Sequence, residues 1–107
     1  MKFLVCTWPS ADAPKHLPTA ETFEAQTEWF RARLADGVID CAHHAHSRAV
    51  FIFNAESNVA LEALLDELPV SGQMDRSIEP LTDFWVHSEN VAGFLRKAAA
   101  KRAEAGV

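Results

Sequence analysis

Three of the chain's five histidines stand almost side by side in Cys41-Ala-His-His-Ala-His, and His87 lies further along. Imidazole changes charge near neutral pH, so a histidine beside an acidic C–H is the simplest proton-transfer group a protein can offer. If residues 38–46 form a strand, side-chain alternation puts His44 and His46 on one face with Asp40 and Ala42, and His43 on the other with Cys41. A carboxylate near an imidazole holds its tautomer and stabilises the imidazolium. Asp40, His44 and His46 are therefore the candidate acid-base set.

Two other readings use the same residues. Imidazole and carboxylate are common ligands of divalent metals, but no HExxH or cysteine spacing accompanies them, so neither a metal nor another cofactor is expected. On an edge strand, polar histidines would instead be solvated side chains that discourage edge-to-edge pairing.

A second constellation follows if residues 77–86 form a strand, because Asp83, Trp85 and His87 would then share a face with Glu79 and Leu81. Trp8, where the first strand opens into a proline-rich segment, joins Asp83, Trp85 and His87 as a candidate wall for a ring-shaped substrate; ordinary core packing is the competing role for tryptophan. Cys6 reads as a small apolar core residue rather than a nucleophile. Met74 and Asp75 read as gap filler and turn cap.

These residues need elements to position them. Lys2 to Trp8 is a nearly continuous apolar run, the pattern of a strand covered on both faces. Pro9 to Pro18 holds three prolines, a loop long enough to lie over a pocket mouth. Thr19 caps a helix to about Asp36 with Phe23, Thr27, Phe30 and Leu34 along one face, and Gly37 closes it. Val38 to His46 and Ala49 to Phe53 read as a hairpin turning at Ser47-Arg48. Ser57 caps a helix over residues 58–68 whose stripe is Leu61, Leu64, Leu65 and Leu68, stopped by Pro69. A strand over 77–86 follows, with Pro80 marking an edge or a bulge, and Ser88 starts a last helix with Val91, Phe94, Leu95 and Ala98 on one face.

The order β-α-β-β-α-β is the split βαβ, or ferredoxin-like, arrangement: an α+β domain at 1–87 with a four-stranded antiparallel sheet, and a helical extension at 88–107. Its strand order is four-one-three-two. Strands one and three are then central and apolar on both faces, while two helices cover only one face. The same face of a second chain is the simplest cover for the other. The last helix either crosses onto that partner or lies loosely on the surface.

Composition sets the outer limits. A chain of 107 residues that is 49% hydrophobic and 23% charged fits one globular domain. A net charge of -5, with basic residues gathered at Arg96, Lys97, Lys101 and Arg102, argues against a nucleic-acid partner. The first apolar run is too short for a signal peptide and nothing approaches a membrane span, so a cytoplasmic protein with no membrane partner is expected. The topology keeps Cys6 and Cys41 two strand spacings apart, about 10 Å, beyond disulfide reach.

The segment ELP, a few residues, MD and then IEPL, with the opening MKFLV, the long first helix ending at Gly37 and Phe51-Ile-Phe, resembles the muconolactone Δ-isomerase-like branch of the dimeric α+β barrel superfamily. The likeness covers roughly residues 1–86. It implies a homodimer or larger homo-oligomer, a pocket between sheet and helices, and chemistry without metal or cofactor. The expected function is isomerisation or cyclisation of a small cyclic or aromatic compound by proton transfer. The alternatives are a cofactor-free oxygenase acting on an electron-rich aromatic or polyketide, and a non-catalytic small-molecule-binding protein.

Overall fold

The computed structural model describes residues 1–11, 15 and 17–106. In chain order the elements are β1 (Lys2–Pro9), α1 (Ala20–Ala35), β2 (Ile39–Ala45), β3 (Arg48–Asn54), α2 (Asn58–Leu65), β4 (Met74–Leu81) and α3 (Phe84–Ala105), with a 3₁₀ turn at Ser71–Gln73 before β4. The architecture is α+β, with one four-stranded antiparallel sheet and three helices, and is compatible with a ferredoxin-like fold. The sheet order is β2-β3-β1-β4, which counted from the β4 edge is four-one-three-two. Part of the expected proline-rich loop, from Asp12 to Pro14 and at His16, lies outside the described residues.

Local chemistry accounts for the ends of α1 and α2. Thr19 Oγ1 accepts from Thr22 N–H at 3.1 Å to start α1, and Ser57 Oγ accepts from Ala60 N–H at 3.1 Å to start α2. Gly37, at φ 84°, takes the left-handed step after α1 that a side chain would resist.

Strand register divides the sheet into two unlike faces. Phe3, Val5 and Thr7 of β1 pair with Phe53, Phe51 and Ala49 of β3, and with Pro80, Ile78 and Arg76 of β4, on the face that α1 and α2 cover. Phe3, Val5, Ile39, Phe51, Phe53, Leu61 and Leu65 form the core there, each 5% exposed or less. Phe30 stacks on Phe51 with ring centroids 4.4 Å apart, and Trp29 lies 6.5 Å from Phe53, so Trp29 is a packing residue. The opposite face carries Leu4, Cys6, Trp8, Val50 and Ile52, all half-buried, with no element above them among the described residues.

Several boundaries differ from the sequence reading. The hairpin turns at His46-Ser47, not Ser47-Arg48: Ala45 pairs with Arg48, and His46 and Ser47 sit at φ 52° and 62°. Positive φ at both loop residues gives the twist that a two-residue hairpin requires, and here it is adopted without glycine. Helix α2 ends at Leu65, and the chain reaches Pro69 through tighter turns in which Glu67 N–H donates to Leu64 O and Leu68 N–H to Leu65 O. Met74 and Asp75 are the first residues of β4, not a turn.

Strand β4 also stops at Leu81, because Asp83 caps a helix: its Oδ1 accepts from Trp85 N–H at 2.9 Å and from Val86 N–H at 3.1 Å. Trp85 and His87 therefore ride on α3, which begins at Phe84, four residues before Ser88. Pro80 lies in the edge strand, where proline is tolerated.

Helix α3 projects from this body. No α3 residue is buried, and Phe84, Trp85, Phe94 and Leu95 are each more than half exposed. The radius of gyration is 20.0 Å and the longest extent 71 Å, where a compact chain of this length has a radius of about 13 Å. Among the described residues no helix is long and apolar enough to cross a membrane.

Candidate active site between α1 and the sheet

The covered face tapers. Along β1 and β3 the cross-strand pairs run Phe3–Phe53, Val5–Phe51 and Thr7–Ala49, so side-chain bulk falls toward the hairpin end. Aromatic rings fill the wide end, and a threonine and an alanine cannot fill the other. The result is a cavity of about 500 Å³ under α1, within the range of small-molecule sites. Phe23, Thr27 and Phe30 of α1 form its roof, Phe51 and Ala49 its floor, and Val70 and Met74 one end.

His44 reaches this cavity from β2, where it pairs with Ala49 on the covered face, and it is exposed at the rim. It is the only titratable side chain among the described lining residues. Ser47, in the strained turn that follows, lines the same rim. Backbone strain of this kind costs on the order of 1–3 kcal/mol and persists where surrounding structure enforces it. Here it fixes the hairpin end that carries His44.

The proposed partners of His44 are elsewhere. Asp40 is the extra residue of a β-bulge between Ile39, which pairs with Phe53, and Cys41, which pairs with Ile52. A bulge breaks the alternation by one, so Asp40 joins the open face while His44 joins the covered one. Four residues at a rise of about 3.3 Å also separate them by roughly 13 Å along the strand. Lys2 Nζ donates to Asp40, as does Asn54 Nδ2 at 2.7 Å. Asn54 Nδ2 also donates to Gly37 O at 3.1 Å, tying the start of β2 to β1 and β3. The Lys2 ammonium, and after it the Asn54 amide, holds the Asp40 carboxyl below its ordinary range. Asp40 is thus a structural anchor. His46 lies in the hairpin turn and His43 on the open face beside Val50, so the three histidines do not converge.

The second constellation does not assemble as one strand face either. Asp83 is spent as the α3 cap, and Trp85 and His87 are exposed on α3, Trp85 at 73%. Trp8 lies on the open face, its ring 4.4 Å below the Arg48 guanidinium. Cys6 and Cys41 are free thiols on strands separated by β3.

Sequence reasoning passed over Thr7 and Gln26 and read Met74 as gap filler, yet all three line the cavity. Thr7 and Gln26 are 6% and 7% exposed, the buried polar residues of the described chain. Val70 N–H donates to Gln26 Oε1 at 3.2 Å, which ties α1 to the segment after Pro69. A glutamine between Phe23 and Phe30 on the apolar stripe of α1 was the available signal. Compared with protein-family models and with curated proteins, the chain matches none.

Proposed function

We propose that this chain is a cofactor-independent enzyme resembling muconolactone isomerase, which moves a proton within a small cyclic or aromatic substrate held in the cavity under α1. The observation that carries this reading is the pairing of a ring-sized, largely apolar cavity with one titratable group, His44, at its rim. Apolar walls fit the substrate by shape and exclude water, and isomerisation needs one group that takes and returns a proton. In this reading His44 is the catalytic residue; Asp40 anchors the strand, and His46 belongs to the turn.

The test is hydrogen exchange at the activated carbon of ring-sized carbonyl compounds in D2O, followed by NMR. The wild-type protein exchanges the proton and moves the double bond, and His44→Ala lowers the rate by about a hundredfold or more, the usual contribution of a general base. Equal rates in the two proteins would remove His44 from the chemistry. Among the described residues no side chain bonds the ring of His44. That favours, as a second reading, a protein that binds the same class of molecule without turning it over.

The working unit in this proposal is a two-fold dimer, a dimeric α+β barrel. Leu4, Cys6, Val50 and Ile52 supply an apolar stripe on a face that no described element covers, and α3 carries the exposed Phe84, Trp85, Phe94 and Leu95. Sedimentation at micromolar concentration should give twice the chain mass; a single 11.8 kDa species would refute it.

A further inference from the structure

A recess of about 10 Å³ adjoins the main cavity and shares Thr7, Gln26, Phe30 and Met74 with it. That is room for one water-sized atom. Thr7 and Gln26 are each more than nine-tenths buried, and both line recess and cavity. Their donor groups are uncommitted among the described residues: the Thr7 hydroxyl makes no hydrogen bond, and Gln26 has only its Oε1 engaged, by Val70 N–H. Neither donor atom is sealed inside the protein, since among the described residues the buried side-chain nitrogen or oxygen without a hydrogen-bond partner is Arg33 Nε, so both stand open to a ligand or water in the recess. Arg76 also lines the recess, and its charge is met by Asp66, with Nη2 to Oδ1 at 2.9 Å.

We infer that this recess receives a single carbonyl oxygen, and that the substrate is a neutral, ring-sized, enolisable carbonyl compound. The inference rests on the proton-transfer reading and adds the substrate class to it. A carboxylate brings two oxygens and a full charge. The recess has space for one atom, and Arg76, its described cation, is already paired. With the oxygen seated between the Thr7 hydroxyl and the Gln26 amide, the step balances within one substrate. The His44 imidazole takes the proton from the carbon next to the carbonyl. The C–H electron pair moves into an enolate whose oxygen lies in the recess. The imidazolium, whose proton exchanges with water at the exposed rim, then delivers a proton to the far carbon of the shifted double bond. Two preorganised donors aimed at a developing oxyanion are the usual large contribution to such a step.

The probes are three rings of one size: cyclohex-2-enone, the same ring without oxygen, and the same ring bearing a carboxylate. The expected result is that the enone binds about tenfold tighter than the oxygen-free ring, and that Thr7→Val removes that advantage, the scale of one net hydrogen bond. Thr7→Val leaves the oxygen-free ring unchanged, and Thr7→Ser restores enone binding. Gln26→Glu, which keeps the acceptor for Val70 N–H but loses the amide donor, weakens the enone similarly. Tightest binding by the carboxylate, equal effects of Thr7→Val on both neutral rings, or no enone binding at millimolar concentration would overturn the assignment. His44→Ala separates the two proposals. Thr7-dependent binding without proton exchange leaves the recess standing and the base reading fallen. His44-dependent exchange that Thr7→Val leaves untouched does the reverse.

Discussion

The two faces of the sheet are built from similar apolar residues and come to different ends. On the covered face, α1 and α2 bury Phe3, Phe53, Leu61 and Leu65 completely, and the taper from Phe53 to Ala49 leaves a cavity with His44 at its rim. On the open face, Leu4, Cys6, Val50 and Ile52 stay half-buried with no element above them among the described residues, and α3 stands away from the body. One face is finished within a single chain and carries the candidate chemistry. The other is unfinished and, in the proposal above, belongs to a second copy. Residues of one type therefore do different work according to which side of a pleat they occupy.

The contrast can be broken by substitution, beginning with the strongest effect. After the loss of exchange in His44→Ala, the next largest effect is Leu65→Ala, which should cost about 3 kcal/mol in denaturant unfolding because it empties a fully buried site. On the open face, Ile52→Asp should leave a folded chain and convert the proposed dimer to monomer in sedimentation; unfolding as severe as that of Leu65→Ala would erase the distinction between the faces. Ser47→Gly relieves a positive φ and should raise stability by up to about 1 kcal/mol, read from the unfolding midpoint.

The smallest effect is electrostatic. The folded-state pKa of Asp40 is depressed, so its contribution to stability is present above the ordinary carboxylate value and is lost as pH falls through the lower, folded one. Asp40→Asn should therefore lower stability slightly at neutral pH and flatten the acid side of the stability profile. An unchanged acid limb would contradict the role given to Lys2 and Asn54.

Much of the fold could be read from the residues because it depends on local rules. Thr19, Ser57 and Gly37 start or stop helices through their own backbone geometry. Alternation and the leucine stripe identify the covered strands and α2. What escaped depends on pairing between strands. The bulge at Asp40 exists only relative to β3, yet it moves Asp40 to the other face and dissolves the expected triad. The apolar run Phe84-Trp85-Val86 read as strand until the Asp83 cap turned it into helix. The cavity is a difference in bulk between facing pairs, so Thr7 and Gln26 gave little sign of their importance until register placed Thr7 opposite Ala49.

The most direct test of the division between faces is a methyl-resolved NMR titration of the wild-type protein with cyclohex-2-enone. Shifts confined to the methyl groups of Thr7, Ala49, Val70 and Met74, with those of Leu4, Val50 and Ile52 unmoved, are the result this account predicts. Shifts centred on Leu4, Val50 and Ile52 would place the ligand on the open face and contradict it.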